Sequence, residues 1–195
     1  MANSERISVF VDGSNFYFGA SRILTTNPKN STRLPIRFDY GGFAKWLAGG
    51  RVITQKRYYV GLVRRDPLHR DHRTEGMVRN QQRLFAWLQL PTQGFEVVRG
   101  HLMKYPNNVY HEKGVDVRLA LDLAEGAFEK RFDTAILVSS DTDLIPALQR
   151  VRKHGKKVEY IGFADQPSFG LQKFANLSKL VTRQELIQYM PTTLL

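Results

Sequence analysis

Two acidic turns, each at the end of an apolar run, hold the side chains best suited to chemistry. The apolar run 135–138 ends in SSDTD (139–143), and the earlier run 7–11 ends in DGSN (12–15). Apolar runs rich in β-branched residues predict strands that are buried on both faces. Ligands of open α/β sheets bind outside the carboxyl ends of the strands. We therefore expect Asp12 and Asp141 to lie side by side there and to share a divalent cation.

A third acid, Asp116, stands near the start of the predicted helix 115–128. Mg²⁺ and Mn²⁺ prefer oxygen ligands, commonly one or two carboxylates for each ion. Carboxylates that lie close together repel one another and raise each other's pKa unless a cation neutralises them. Convergence of Asp116 with Asp12 and Asp141 therefore predicts a Mg²⁺ or Mn²⁺ site.

The polar residues around these acids each have a structural interpretation as well. Asp143 is a ligand, the N-cap of the helix that follows with Pro146 in its first turn, or both. Asp116 also suits the positive end of a helix dipole. Asp122 lies about 120° around the helix from Asp116, and is either an acid behind the ligands or an internal salt-bridge partner. Asn15 either hydrogen-bonds an acid, a bound water or a phosphate, or caps the first helix.

The chain is strongly basic. Its 195 residues include 29 Lys and Arg against 18 Asp and Glu, a net charge of +11. Such a protein usually binds a polyanion, so nucleic acid is the expected partner, although excess charge can also serve solubility alone. The absence of cysteine excludes disulfides, thiolate zinc sites and a cysteine nucleophile. No stretch reaches the roughly 18 apolar residues of a membrane span. Residues 1–6 lack an apolar signal core, so we expect a cytoplasmic protein without membrane contact.

Alternating strand and helix patterns predict an α/β fold whose central sheet is mainly parallel. Residues 38–47 are predicted as a helix with Asp39 as its N-cap. Residues 105–113, which contain Pro, Asn and His, are predicted as an irregular connection. We expect residues 1–165 to form the main domain, and residues 166–195 to form a C-terminal extension packed on it.

The segment 51–83 is a candidate clamp on a nucleic-acid backbone. It holds nine basic residues and three acidic ones, and so supplies more than half of the net charge. Basic side chains bind phosphates without sequence preference, and a solvated charged loop is the alternative. Tyr17, just after the Asp12 turn, is a candidate platform for an unpaired base, which favours single-stranded RNA. The candidate phosphate-binding residues are Arg64, Arg65, Arg70, Arg73 and Lys113, the last of which is otherwise a solvated lysine.

Three blocks contain the residues singled out above. They are VDGSN (11–15), KGVDV (113–117) with Asp122, and SSDTD (139–143) with Pro146 and GKKV (155–158). In this order the blocks resemble the signatures of the NYN domain family, which includes the LabA-like proteins and belongs to the PIN-like nuclease superfamily. The resemblance spans about residues 7–163. Ser140 departs from it, since many relatives have glycine there, and its side chain is expected to narrow the turn without removing a ligand.

The resemblance implies a PIN-like three-layer α/β/α sandwich with a mainly parallel central sheet and a metal-dependent ribonuclease site. The roles that it carries over are those of metal ligands for Asp12, Asp116 and Asp141, and of catalytic supports for Asp143 and Asn15. Ser139 and Asp122 are the side chains expected behind these ligands, subject to the alternative for Asp122 given above.

The expected activity is hydrolysis of RNA phosphodiester bonds, in which a cation activates water. A non-catalytic RNA-binding or regulatory module with the same fold is the alternative, but the presence of acids in all three blocks favours the enzyme. A metal-dependent phosphatase or nucleotide-binding protein is a third hypothesis. The absence of a Walker-type phosphate loop from the sequence argues against it. The sequence leaves open whether the protein forms a homodimer through residues 171–195.

Overall fold

Strands and helices alternate along the chain. The computed structural model describes residues 5–27, 29, 31–63, 72–105 and 109–192, with the backbone alone for residues 73, 102–105 and 109–112. The strands are β1 (Arg6–Asp12), β2 (Val52–Leu62), β3 (Glu96–Tyr105), β4 (Val109–Lys113), β5 (Thr134–Val138), β6 (Lys157–Phe163) and β7 (Leu177–Val181). The helices are α1 (Gly13–Leu24), α2 (Tyr40–Ala48), α3 (His72–Leu88), α4 (Val115–Phe128), α5 (Ile145–Lys153), α6 (Phe169–Phe174) and α7 (Arg183–Ile187), with a 3-10 turn at Thr142–Leu144.

The strands form one sheet in the order β4-β3-β2-β1-β5-β6-β7. Six of them are parallel, and β4 pairs with β3 in the antiparallel direction. The prediction of an α/β fold with a mainly parallel sheet is confirmed. The prediction of an irregular connection over 105–113 is wrong at residue 105, which ends β3, and from residue 109 onward, while residues 106–108 lie outside the described residues. Short edge strands that carry charged residues lack the apolar alternation by which a strand is recognised.

Apolar cores cover both faces of the sheet. The alternating side chains of β1 separate into two clusters, with Val9 packed among α1 and α2 residues on one face and Phe10 packed against α4 on the other. All five residues of β5 are buried, as expected for a parallel strand covered on both sides. The three-layer sandwich follows from this arrangement.

The chain after residue 165 continues the same sheet and core. Strand β7 pairs in parallel with β6. Helix α7 begins with a capping box between Thr182 and Glu185, and its Leu186 is fully buried in the cluster that contains Phe16. The backbone N–H of Asp39, which caps α2 as predicted, donates to the carbonyl of Tyr189 at 2.8 Å. Among the helices that the structure describes, none has the length and apolar character of a membrane span.

Candidate functional site

Asp12 ends β1 and caps α1. Its side chain is 1% exposed and accepts hydrogen bonds from the backbone N–H of Asn15 at 3.1 Å and from Asn15 Nδ2 at 2.6 Å. Asn15 therefore contacts an acid, and the capping residue of the helix is Asp12. The turn between them requires glycine at position 13, because a Cβ there would overlap the ring of Tyr58.

Ser139 joins the two acidic turns. Its Oγ donates to Asp12 Oδ2 at 3.0 Å and accepts from the backbone N–H of Asp141 at 3.1 Å. The hydroxyl is buried and stands just beyond β5, which pairs in parallel with β1. The sequence prediction that the ends of β1 and β5 lie side by side is therefore confirmed, and Ser139 is the contact between them.

Asp141 occupies the capping position that the sequence suggested for Asp143. Asp141 Oδ1 accepts from the backbone N–H of Asp143 at 2.9 Å and so caps the 3-10 turn. Asp143 is exposed within that turn, and α5 begins later, at Ile145 with Pro146 second. The N-cap prediction for Asp143 is wrong because the earlier carboxylate starts a tight turn ahead of the helix. Among the described residues, Lys130 is the only non-glycine with positive φ, so Ser140 sits in this turn without backbone strain.

Asp116 reaches the same region from the first turn of α4. The helix starts after Gly114, whose φ of 79° lies in the left-handed region that favours glycine. The pKa of Asp116 is raised, first by partial loss of hydration and then by the negative charges of Asp12, Asp141 and Asp143. The three predicted ligands therefore lie in one acidic region, at the carboxyl ends of the central strands.

The acidic region suits a hard divalent cation in its chemistry, although its side chains stand apart. Within the part of the chain that the structure describes, no three His, Asp or Glu side chains converge closely enough to hold an ion. The donors that approach one another are oxygen atoms, which Mg²⁺ and Mn²⁺ prefer. Asp116 and Asp143 are exposed, so packing does not oppose rotation of their carboxylates toward an ion.

Asp122 is an internal salt-bridge partner, one of its two predicted alternatives. Its carboxylate is buried and meets Arg57 Nη1 at 2.7 Å, Arg118 Nε at 3.1 Å and the hydroxyl of Tyr59 at 2.9 Å. These contacts fasten α4 to β2. Because α4 carries Asp116 in its first turn, the network supports the position of that acid indirectly.

The structure describes only part of the segment 51–83, the predicted clamp on a nucleic-acid backbone. Arg64, Arg65 and Arg70 lie outside the described residues, as does the side chain of Arg73. Elsewhere in the segment 51–83, Arg51 pairs with Glu5 and Glu159, Arg57 pairs with Asp122 and Glu96, and Lys56 donates to the carbonyl of Gln93. These three cations hold the fold together, so the segment offers less charge to a ligand than its composition indicates. Lys113 is exposed at the end of β4, three residues before Asp116.

The three aromatic rings after the Asp12 turn differ sharply in exposure. Phe16 is buried in the core, and Tyr17, the predicted stacking platform, is partly buried against that core. Phe18 is 66% exposed and meets the ring of Tyr17 edge to face at a centroid distance of 5.4 Å. Phe18 is therefore the ring best placed to stack, and sequence reasoning selected its neighbour because helical periodicity alone does not fix which face is covered.

A polar groove beside the acidic turns also escaped sequence reasoning. It has a volume of about 370 Å³, and its lining includes Ser14, Asn15, Arg22, Ser140, Gln166 and Ser168. The Arg22 guanidinium forms an ion pair with Asp165. The segment 166–168 follows the carboxyl end of β6, so the rule that placed Asp12 and Asp141 in the site would also have pointed to this loop.

The class of the fold is shown by a match to a family model. The NYN domain model matches residues 6–178, and the chain belongs to the NYN domain family, part of the PIN-like superfamily. An uncharacterized protein of Methanocaldococcus jannaschii is 39% identical over 62 residues, which make up 32% of this chain and 26% of that protein. The chain thus matches about a quarter of the length of this curated relative.

A solved structure has the same fold. It is a protein of unknown function from Vibrio parahaemolyticus, 22% identical in sequence, and the two structures superpose with a TM-score of 0.65. The alignment covers 93% of this chain and 95% of that one. At this level of identity the likeness concerns the fold, which is therefore common to both proteins over nearly their full lengths.

Proposed function

We propose that the protein is a divalent-metal-dependent ribonuclease that hydrolyses RNA phosphodiester bonds at the acidic region formed by Asp12, Asp116 and Asp141. One observation carries the proposal. Acids from three separate elements lie in one region at the carboxyl end of the sheet, where partial loss of hydration and then the charges of Asp12 and Asp141 raise the pKa of Asp116. Repulsion between neighbouring carboxylates disfavours their ionised forms, and a bound cation removes this cost because its charge is opposite. Membership of a PIN-like nuclease family supports the same conclusion.

The neighbours of these acids have orienting roles in the proposal. Asn15 holds the Asp12 carboxylate by two hydrogen bonds, and Ser139 ties that carboxylate to the Asp141 turn. Asp143 is exposed beside Asp141 and is available to accept a hydrogen bond from water or substrate. A divalent cation held by Asp12, Asp116 and Asp141 would activate water and neutralise charge on the phosphate.

RNA is the proposed substrate, with unpaired strands favoured. The net charge of +11 supports a polyanionic ligand. Phe18, a largely exposed ring one helical turn from Ser14, offers a surface on which an unpaired base can stack. A cytoplasmic location stays part of the proposal.

A non-catalytic RNA-binding module is the second candidate. It is favoured by one observation, which is that no three acidic or histidine side chains among the described residues converge on an ion as they stand. In that case the fold and the basic charge would serve binding alone. The two candidates differ in whether RNA is cut.

Cleavage of an end-labelled, mixed-sequence RNA tests the proposal. The wild type, Asp12→Asn and Asp141→Asn are compared in Mg²⁺, Mn²⁺ and EDTA. Asparagine keeps an oxygen that can cap α1, but its NH2 group cannot accept the hydrogen bonds from Asn15 Nδ2 and Ser139. Circular dichroism therefore checks that Asp12→Asn is folded, so that its loss of activity reports on charge. Asp133→Asn is the matched control, because Asp133 lies before β5, at the opposite end of the sheet from Asp141.

The expected result is metal-dependent cleavage by the wild type and Asp133→Asn, with loss of at least about a hundredfold, near 2.7 kcal/mol of barrier, in the two site variants. Salt-sensitive RNA binding without cleavage in any metal would refute the enzyme and leave the binding module. Cleavage that persists in both site variants would show that these acids are not the catalytic ones.

A further inference from the structure

An apolar cleft opens beside the Asp12 turn. It has a volume of about 520 Å³, within the range of about 300 to 1,000 Å³ typical of ligand pockets. Its lining includes Tyr17, Phe18, Tyr40, Tyr58, Met77 and Asn80. We call it the aromatic cleft. Apolar lining atoms predominate, with a few polar groups at the rim, which is the usual composition of a small-molecule site.

The aromatic cleft is continuous with the candidate site. Gly13 and Ser14, which directly follow Asp12, form part of its wall. The hydroxyl of Tyr58 donates to the carbonyl of Gly13 at 3.3 Å, so the floor of the cleft is fastened to the acidic turn. A group bound in the cleft would therefore lie next to a cation or phosphate bound at the acidic region.

The floor of the cleft is aromatic and uncharged. The rings of Tyr40 and Tyr58 meet edge to face at a centroid distance of 5.6 Å. Burial raises the pKa of the Tyr40 hydroxyl, so the phenol stays neutral at physiological pH. Gln81 is fixed by hydrogen bonds to the backbone of Gly61 and Val63 at 2.7 and 2.9 Å. The floor thus favours a neutral, flat ligand over a charged one.

Phe18 separates the aromatic cleft from the polar groove. Both cavities share Phe18 and Ser14 as lining residues. One cavity is largely apolar with Arg33 and Asn80 exposed at its rim, and the other is rich in serine hydroxyls and amides. A nucleotide divides in the same way, into a flat base and a polar sugar-phosphate.

We propose that the aromatic cleft binds one unpaired nucleobase of the RNA strand, stacked on Phe18, while the adjoining phosphate lies at the acidic region. The inference rests on the proposed function for its substrate class and adds the recognition site. A base can enter only if it is unpaired and unstacked, so the cleft selects single-stranded RNA. Stacking on an aromatic side chain strengthens binding by roughly 5- to 150-fold per base.

Equilibrium binding in EDTA separates this inference from the nuclease activity. The probe is a short fluorescein-labelled single-stranded RNA, and its partner is the same strand built from abasic nucleotides, both followed by fluorescence anisotropy. The variants are Phe18→Ala, which removes the exposed ring, and Met77→Trp, which fills the cleft. Phe128→Ala is the matched control, since Phe128 is 70% exposed at the far end of α4. Circular dichroism checks that each variant is folded.

We expect the wild type and Phe128→Ala to bind the RNA at least about fivefold more tightly than the abasic strand. Phe18→Ala and Met77→Trp are expected to lose most of that preference while binding the abasic strand normally. Unchanged preference in Phe18→Ala and in a folded Met77→Trp would overturn the inference and leave the nuclease proposal intact.

The other outcomes are also decisive. The expected binding pattern without cleavage in Mg²⁺ or Mn²⁺ would support the cleft and refute the nuclease. Absence of RNA binding by the wild type in EDTA would overturn this inference, and the cleavage assay in Mg²⁺ or Mn²⁺ would then decide the nuclease proposal by itself. A free nucleoside monophosphate that competes at the same concentration as the strand would overturn the assignment to RNA, because a small nucleotide would then be sufficient ligand.

Discussion

Removal of the Asp122 carboxylate tests the network that fastens α4 to the sheet. Asp122→Ala leaves the Arg57 guanidinium, whose side chain is 12% exposed, and the Tyr59 hydroxyl without their shared acceptor. Loss of one partner of a buried ion pair costs about 3–5 kcal/mol. Arg57 keeps a second carboxylate, Glu96, at 3.0 Å. We therefore expect a loss near the lower limit, about 3 kcal/mol of unfolding free energy.

Urea unfolding followed by circular dichroism measures this loss, and thermal unfolding should show a fall in Tm of roughly 6–12 °C, from about 2–4 °C per kcal/mol for a chain of this size. Arg118→Ala is the control within the same network. Its side chain is 59% exposed, so its removal should cost no more than about 1 kcal/mol. Equal losses in the two variants, or a loss below about 1 kcal/mol for Asp122→Ala, would refute the argument that buried charge pairing positions α4.

Three further predictions follow from local contacts. Hydrogen bonds from Arg6 and then Lys156 hold the pKa of Asp133 well below its usual range. The ionised carboxylate therefore stabilises the folded protein fully above the pKa of an unfolded Asp, about 3.9, and this stabilisation is lost as the pH falls below that value. In acid titrations, the free energy of unfolding of Asp133→Asn should therefore depend less steeply on pH below about 4. At neutral pH the variant should lose no more than about 1 kcal/mol of that free energy, since the group is partly exposed. The raised pKa of Asp116 means that its ionised form opposes folding, so Asp116→Asn should raise the Tm in EDTA, and a fall would contradict this. Gly13→Ala should destabilise the protein by about 1–3 kcal/mol in urea unfolding, because the added methyl overlaps neighbouring atoms, and a neutral result would place the turn elsewhere.

Local sequence rules were sufficient for the frame of the site. Apolar runs identified β1 and β5, and each run ends in an acid, so the position of Asp12 and Asp141 followed from the geometry of parallel sheets. The hydroxyl of Ser139 that links them could be expected near the site, but its two hydrogen bonds depend on the exact turn and are visible only in the structure.

Partners far apart in sequence could not be predicted. Arg57 and Asp122 are 65 positions apart in the sequence. Composition alone assigns the charge of Arg57 to the clamp on RNA, whereas in the structure this charge is paired with Asp122. Strand β4 has no alternating apolar pattern, so only its pairing with β3 reveals it. The choice of Phe18 over Tyr17 as the exposed ring likewise depends on which elements cover α1, and that is a property of the packed molecule.

Direct location of a bound ion tests the central claim. The protein is crystallised with Mn²⁺, and the ion is placed from its anomalous scattering. The account predicts an anomalous peak in contact with carboxylate oxygens of Asp12, Asp116 and Asp141, and its loss in Asp141→Asn. Metal-dependent RNA cleavage by a protein whose Mn²⁺ lies elsewhere, or is retained unchanged in Asp141→Asn, would contradict the assignment of these acids as the metal site.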